Sequence, residues 1–309
     1  PNGAWLVVGT QSGKMCIWKM TGEGPVEAPC ETWKDDLPVM NVVFSPKGRW
    51  LATSCTGGCK EFGAPVRLWD LSADFPKQEP RRLTHATELN EDSLLAFAFN
   101  GDETRLAVAY GYAVVVWDLT QENPPQSVVG RYASSGGWVG AVGLSPDNKW
   151  LAVGSGRGAA VMLWDLTGTR KDPVALKGHR AADNAVVFSD DGRWLATGGQ
   201  DATARLWDLD EPTIPSTVLR GQELPIRQVL FSAGAEPRHL VTLGEDAHAR
   251  LWTVPDPVAD PLVLRARVKP AIVGMAVSPD GNWIATSSQE DKKLVLWSAS
   301  DPRQPAREL

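Results

Sequence analysis

Short apolar runs recur along the whole chain, each about five residues long and rich in β-branched and aromatic side chains. Val66-Arg67-Leu68 stands ahead of Trp69, and Val114-Val115-Val116 ahead of Trp117. Runs this short, closed on both sides by turn residues, predict strands rather than helices. The punctuation is regular. Phe44-Ser45-Pro46-Lys47-Gly48, Leu144-Ser145-Pro146-Asp147-Asn148, Phe188-Ser189-Asp190-Asp191-Gly192 and Val277-Ser278-Pro279-Asp280-Gly281 each end one run and open the next. Ser-Pro-Asp-Gly clusters of this kind mark tight turns between antiparallel strands.

These pieces repeat in phase. Trp18, Trp69, Trp117, Trp164, Trp207, Trp252 and Trp297 follow one another at intervals of 43 to 51 residues. Asp70, Asp118, Asp165 and Asp208 come directly after four of them. A second set lies upstream in each unit: Trp5-Leu6-Val7, Trp50-Leu51-Ala52, Trp150-Leu151-Ala152, Trp194-Leu195-Ala196 and Trp283-Ile284-Ala285. Arg105-Leu106-Ala107 and His239-Leu240-Val241 hold that place in the other two units. Each unit thus reads as strand, Ser-Pro-Asp-Gly turn, strand, short turn, strand ending in Trp-Asp, then a variable loop and a weaker outer strand.

A period near 45 with a terminal Trp-Asp resembles the WD-repeat family. The resemblance covers the whole chain. It implies an all-β, seven-bladed β-propeller of four-stranded antiparallel blades, read here as one domain over 1–309. The blades are expected at about 1–37, 38–88, 89–134, 135–180, 181–222, 223–267 and 268–309. A single blade cannot bury both of its faces, so stacking of neighbours supplies the core.

The family often ties a blade together with a His, Ser/Thr, Asp and Trp that bond in series. One unit carries all four: His179, Thr197, Asp201 and Trp207. The next has Gln222 in the His place, with Thr242 and Asp246 kept; the last keeps Asp291 but has Val268. A hydroxyl, an imidazole and a carboxylate in one unit invite a nucleophilic reading. The structural reading is preferred, because an indole donating to the hydroxyl, the hydroxyl to the imidazole and the imidazole to the carboxylate satisfies buried polar groups and leaves no free nucleophile.

Composition narrows the function classes. The chain has 309 residues, is 43% hydrophobic and 22% charged, and carries a net charge of −6. It has no Lys/Arg-rich run, the densest basic spots being Arg81-Arg82 and Lys292-Lys293, so a nucleic-acid partner is disfavoured. No segment reaches the length of a membrane span. The four cysteines are Cys16, Cys30, Cys55 and Cys59. Cys55 and Cys59 are either half of a metal site or free thiols; the second reading is preferred because no ligand pair stands nearby at zinc spacing. No catalytic, cofactor-binding or metal-ligating residue is assigned, and none of the four histidines joins another in one unit and face.

In the repeat frame Pro1-Asn2-Gly3 is the tail of a turn, so the first blade lacks its inner strand within this chain. Residues 305–309 read as the last outer strand. The expectation is a fragment of a longer polypeptide whose upstream part completes the first blade and adds further domains.

Variable loops on a rigid scaffold are where binding concentrates. In the family the loops into the inner strands and the turns between second and third strands share one rim. The candidate partner-binding residues there are Gln11, Tyr110, Arg157, Gln200, Glu245 and Glu290, joined by Trp138 in Ser134-Ser135-Gly136-Gly137-Trp138. Trp138 lies outside both repeated Trp sets and either offers a binding anchor or folds back on its own blade. The long turn from Cys55 to Pro65 either reaches over the rim or is a tolerated insertion.

The expected function is a non-catalytic, cytoplasmic scaffold or sensor that binds a protein partner, without cofactor. The many Trp and the preserved repeats look like those of bacterial WD-repeat proteins, which implies a recognition part of a signalling ATPase, caspase-like protease or kinase. The alternatives are a propeller enzyme with an axial acidic or metal site, for which Glu245 and Glu290 are the carboxylates, and a nucleic-acid or small-ligand binder.

Overall fold

The alternating runs form seven four-stranded antiparallel sheets in the computed structural model. It describes residues 5–9, 14–21, 24–25, 31–34, 39–55, 66–71, 80–83, 94–111, 113–121, 126–131, 139–156, 160–211, 215–232, 238–246, 248–254, 261–264, 272–278, 282–288, 294–298 and 307–308. The described residues contain strands and turns but no helix. Two compact units, 1–139 and 140–309, divide the chain.

Unit one holds three sheets. In the first, β1 (Trp5–Gly9) pairs with β2 (Lys14–Thr21), which also pairs with the two-residue β3 (Gly24–Pro25) and with β4 (Glu31–Lys34). No inner strand pairs with β1 among the described residues. The second sheet runs β5 (Val39–Phe44), β6 (Trp50–Cys55), β7 (Val66–Asp70), β8 (Arg81–Leu83), and the third β9 (Leu94–Phe99), β10 (Arg105–Tyr110), β11 (Ala113–Asp118), β12 (Gln126–Arg131).

Unit two holds the other four. The fourth sheet, whose first residue Val139 closes unit one, runs β13 (Val139–Leu144), β14 (Trp150–Ser155), β15 (Ala160–Asp165), β16 (Val174–Lys177). The fifth runs β17 (Asp183–Phe188), β18 (Trp194–Gly199), β19 (Ala204–Asp208), β20 (Thr217–Leu219). The sixth runs β21 (Ile226–Phe231), β22 (Arg238–Gly244), β23 (Ala249–Val254), β24 (Leu262–Leu264), and the seventh β25 (Ile272–Val277), β26 (Trp283–Ser288), β27 (Leu294–Ser298), β28 (Arg307–Glu308). In each, consecutive strands are neighbours, as meanders joined by short turns require.

Successive side chains of a strand point to opposite faces, and each sheet uses both. In the fifth sheet Leu195, Trp207 and Leu209 pack with Leu163 and Leu176 of the fourth. Ala196, Ala204, Leu206 and Leu219, one position out of phase, pack with Ile226, Leu240 and Trp252 of the sixth. The sixth then turns Val241, Leu243 and Leu251 towards Ile284 and Trp297 of the seventh. Unit one repeats this: Leu51 and Trp69 meet Met15 and Ile17, while Trp50 and Leu68 meet Leu106, Tyr110 and Trp117. Trp69, Trp117, Trp207, Trp252 and Trp297 therefore face the preceding sheet, and truncating one to Ala is expected to cost about 3–5 kcal/mol.

Five inner strands share a feature invisible in the sequence; in β9 it lies between Leu94 and Ala96. In the other four a register shift interrupts the pairing between Val39 and Asn41, Asp183 and Ala185, Ile226 and Gln228, and Ile272 and Gly274. A bulge at the start of an inner strand bends the chain as it enters from its loop.

Candidate functional site

The loop rim is built from below by one recurring bond. The indole N–H of Trp207 donates to the Thr197 hydroxyl across β18 and β19 at 3.1 Å. Trp69 donates to Thr53 at 3.1 Å, Trp252 to Thr242 at 3.0 Å and Trp297 to Thr286 at 2.9 Å. In the fifth sheet the Thr197 hydroxyl reaches His179 Nε2 at 2.7 Å, and His179 Nδ1 lies 3.1 Å from Asp201 Oδ1. Asp201 also accepts from the Arg180 amide at 2.9 Å, the Thr203 amide at 3.1 Å and the Thr203 hydroxyl at 2.7 Å. His179, Thr197, Asp201 and Trp207 are thus brought together as the repeat frame implied.

Burial holds the His179 imidazole below its usual pKa, against the pull of Asp201. The neutral ring then donates from Nδ1 to Asp201 and accepts at Nε2 from Thr197. Burial works against the charge of Asp201, but the Arg180 amide, Thr203 and His179 outweigh it and bring its pKa down to about 2. Thr197 is fully buried, its hydroxyl accepting from Trp207 and engaged with His179. With no exposed nucleophile, these residues are a brace and not a reaction centre.

The sixth sheet reaches the same result with other groups. Thr242 donates to Gln222 Oε1 at 3.1 Å, and Gln222 Nε2 to the His248 carbonyl at 3.4 Å. Asp246 accepts from the Glu223 and His248 amides, both at 3.1 Å, and pairs with buried Arg250 at 2.8 Å. Glycine is required beneath both braces. A Cβ on Gly199 would lie 2.6 Å from His179 Nδ1, and one on Gly244 2.6 Å from Asp246 Oδ1.

Above these braces the loops are tied to the turns. The Gln200 amide donates to the Ala182 carbonyl and the Glu245 amide to the Pro225 carbonyl, each at 2.8 Å. Gln200 and Glu245 are exposed, as are Arg180 and Glu223, which follow the His and Gln of the braces. Leu224 is 48% exposed between Glu223 and Pro225. The other large apolar side chain exposed among the described residues, Trp283 at 46%, begins β26 at the opposite strand ends.

The other rim candidates fare differently. Tyr110 is buried, 1% exposed, and packs with Leu106, Val108 and Trp117. The expectation of an exposed Tyr110 is corrected by register: Tyr110 stands four residues after Leu106, as Gly199 stands four after Leu195, so Gly111 holds the place of Gln200. Gln11, Trp138, Arg157 and Glu290 lie outside the described residues, as do Asp291, Val268 and the Cys55–Pro65 turn beyond Cys55. The Arg180, Glu223 and Leu224 positions escaped the sequence reading, although Arg180 and Glu223 follow His179 and Gln222 at one fixed place in the repeat. Among the described residues no three His, Cys, Asp or Glu gather as a metal site would require.

The family model described as "WD domain, G-beta repeat" matches residues 126–165, 171–208 and 263–298. Guanine nucleotide-binding protein subunit beta-1 of Nicotiana tabacum is 26% identical over 216 residues, 68% of this chain and 54% of that protein. Small ribosomal subunit protein RACK1 of Dictyostelium discoideum is 35% identical over 99 residues, 29% of this chain and 30% of that protein. The chain spans about half the length of the subunit-beta relatives it matches. A chain in the crystal structure of a mitotic checkpoint complex superposes with a TM-score of 0.72 at 19% identity, covering 96% of this chain and 85% of that one. That likeness concerns the fold, a β-propeller of four-stranded blades.

Proposed function

We propose that this chain, which belongs to the WD-repeat family of β-propellers, is a non-catalytic scaffold that holds a protein partner on its loop rim. One observation carries the placement. Leu224 is 48% exposed on a loop whose backbone is fixed from both sides, by Asp246 at Glu223 and by Glu245 at Pro225. An apolar side chain held rigidly in water costs little further ordering when a partner covers it. Exposed Glu223 and Glu245 of the same sheet, and exposed Arg180 and Gln200 at the matching places of the fifth, supply the polar part of this rim.

The relatives support the broader reading, since by name they are a subunit of a guanine nucleotide-binding protein and a ribosomal subunit protein, and the fold neighbour sits in a checkpoint complex. The finer assignment extends it: recognition within a larger bacterial signalling or defence protein, acting in the cytoplasm, with Gln11, Trp138, Arg157 and Glu290 as further contacts. This part rests on the resemblance of the repeats. Affinity recovery of partners with the intact protein tests the scaffold reading. Leu224→Arg is expected to lower recovery at least tenfold with an unchanged melting temperature. Undiminished recovery would move the interface away from this rim.

A further inference from the structure

In the third, fourth and fifth sheets the turn between inner and second strands closes on its own carboxylate, and in the second that carboxylate is missing. In the fourth sheet the Ser145 hydroxyl donates to Asp147 at 2.6 Å, the Lys149 amide donates to Asp147 at 3.1 Å, and the Trp150 amide donates to Ser145 Oγ at 2.8 Å. The fifth sheet uses Ser189, Asp191, Arg193 and Trp194 in the same roles. The third uses Asn100 and Asp102, with the Thr104 amide on Asp102 at 3.0 Å and the Arg105 amide on Asn100 at 2.8 Å. The second sheet keeps Ser45, and the Trp50 amide donates to its hydroxyl at 2.8 Å, but Lys47 stands where the others have Asp.

Glu103 of the third sheet fills the gap. Its Oε1 accepts from the Ser45 hydroxyl at 2.6 Å, the Lys47 amide at 2.5 Å and the Arg49 amide at 3.4 Å. It does so from the fourth place of its own turn, where the backbone is left-handed: φ is 66° at Glu103, against 81° at Gly48, 64° at Asn148 and 73° at Gly192. Glutamate is costly there, and Gly is the usual choice. Glu103 is buried, 7% exposed. An independent pair of turns shows that this place addresses the preceding sheet. A Cβ on Gly192 would lie 3.4 Å from the Asp147 carboxyl carbon. A residue at the fourth place therefore points at the turn carboxylate of the sheet before it.

We infer that Glu103 is the turn carboxylate of the second sheet, supplied by the third, so that these two sheets close their turns as one unit. Lys47 and Glu103 are then two halves of one exchange: the carboxylate has moved from the third place of one turn to the fourth place of the next. The device couples two repeats, whereas the fourth and fifth sheets each close on their own Asp147 and Asp191.

Amide hydrogen exchange on the intact chain tests this with three variants. Glu103→Gly is expected to speed exchange at the Lys47 and Arg49 amides at least tenfold, while Thr104 and Arg105, whose turn gains a residue suited to φ 66°, do not speed. Lys47→Asp alone sets a second carboxylate against Glu103 and speeds Arg49 as well. The double variant rebuilds the pattern of Asp147 and Asp191 and returns Arg49 to within about twofold of the parent. Unchanged Lys47 and Arg49 exchange in Glu103→Gly overturns the inference. So does faster exchange at Thr104 and Arg105, or a double variant that leaves Arg49 fast.

Discussion

Val108 occupies the place in β10 from which threonine serves Trp in four other sheets, and the buried indole N–H of Trp117 has no acceptor among the described residues. Thr53, Thr197, Thr242 and Thr286 stand two residues after the strand partner of their Trp, as Val108 stands two after Leu106. Threonine and valine are nearly isosteric, so Val108→Thr adds the acceptor without a cavity. A buried donor left unmet costs about 1–3 kcal/mol. Val108→Thr is expected to raise stability by about 1 kcal/mol, after the cost of burying the new hydroxyl. Urea unfolding measures this, and a loss of stability would contradict it.

Thr197→Val is the reverse experiment and the more damaging one. It removes the acceptor of Trp207 and the partner of His179 Nε2 together. Two buried groups lose their bonds, and about 2–5 kcal/mol of stability should go with them. Thr286→Val, whose hydroxyl serves Trp297 without a His, should cost about half as much. Equal losses would show that His179 adds nothing.

The bracing residues also set a pH dependence. The folded state keeps His179 neutral below its usual pKa of 6.5, while the unfolded chain protonates there. The unfolded state thus takes up protons first, and stability falls as pH drops below about 6.5. His239, also held low by burial, adds to the same fall. Asp201, at about 2 in the fold against 3.8 unfolded, contributes a second loss as pH falls from about 4 towards 2. Replacing His179 by Gln, as Gln222 stands in the sixth sheet, should shrink the first step most and the second only in part, because the Arg180 amide and Thr203 still hold Asp201 low. Melting temperature against pH, for both proteins, reads the two steps.

Gly199→Ala tests the close approach beneath the brace. The added methyl would meet His179 Nδ1 at 2.6 Å and Asp201 Oδ1 at 2.8 Å. The imidazole and carboxylate must part, and a loss of about 1–3 kcal/mol is expected. Gly168→Ala meets nothing within 4 Å, so its cost is confined to the strain of φ 82° and should be smaller.

The sheets were legible because Trp69, Trp117, Trp164 and Trp207 recur with their turns in one frame, and period and burial agree along each strand. His179, Thr197, Asp201 and Trp207 were legible for the same reason: each sits at a fixed distance from its Trp. Tyr110 was misplaced because the turn after it was aligned one residue out, although Leu106, Val108 and Tyr110 alternate as core positions should. Glu103 was hidden for a different reason. Its partner Ser45 lies 58 residues away in another repeat, and no local pattern reports that Lys47 lacks what Glu103 supplies. Leu224 was hidden because an isolated leucine in a loop carries no periodic signal.

The central claim is that a protein partner covers the rim at Leu224. A photoreactive residue placed at 224 in the intact protein, compared with one at exposed Glu211 beyond the opposite strand ends, tests it most directly. Crosslinking to a protein partner from position 224, at least tenfold above that from 211, is the predicted result. Equal yields, or a yield confined to 211, would contradict the assignment of the binding rim.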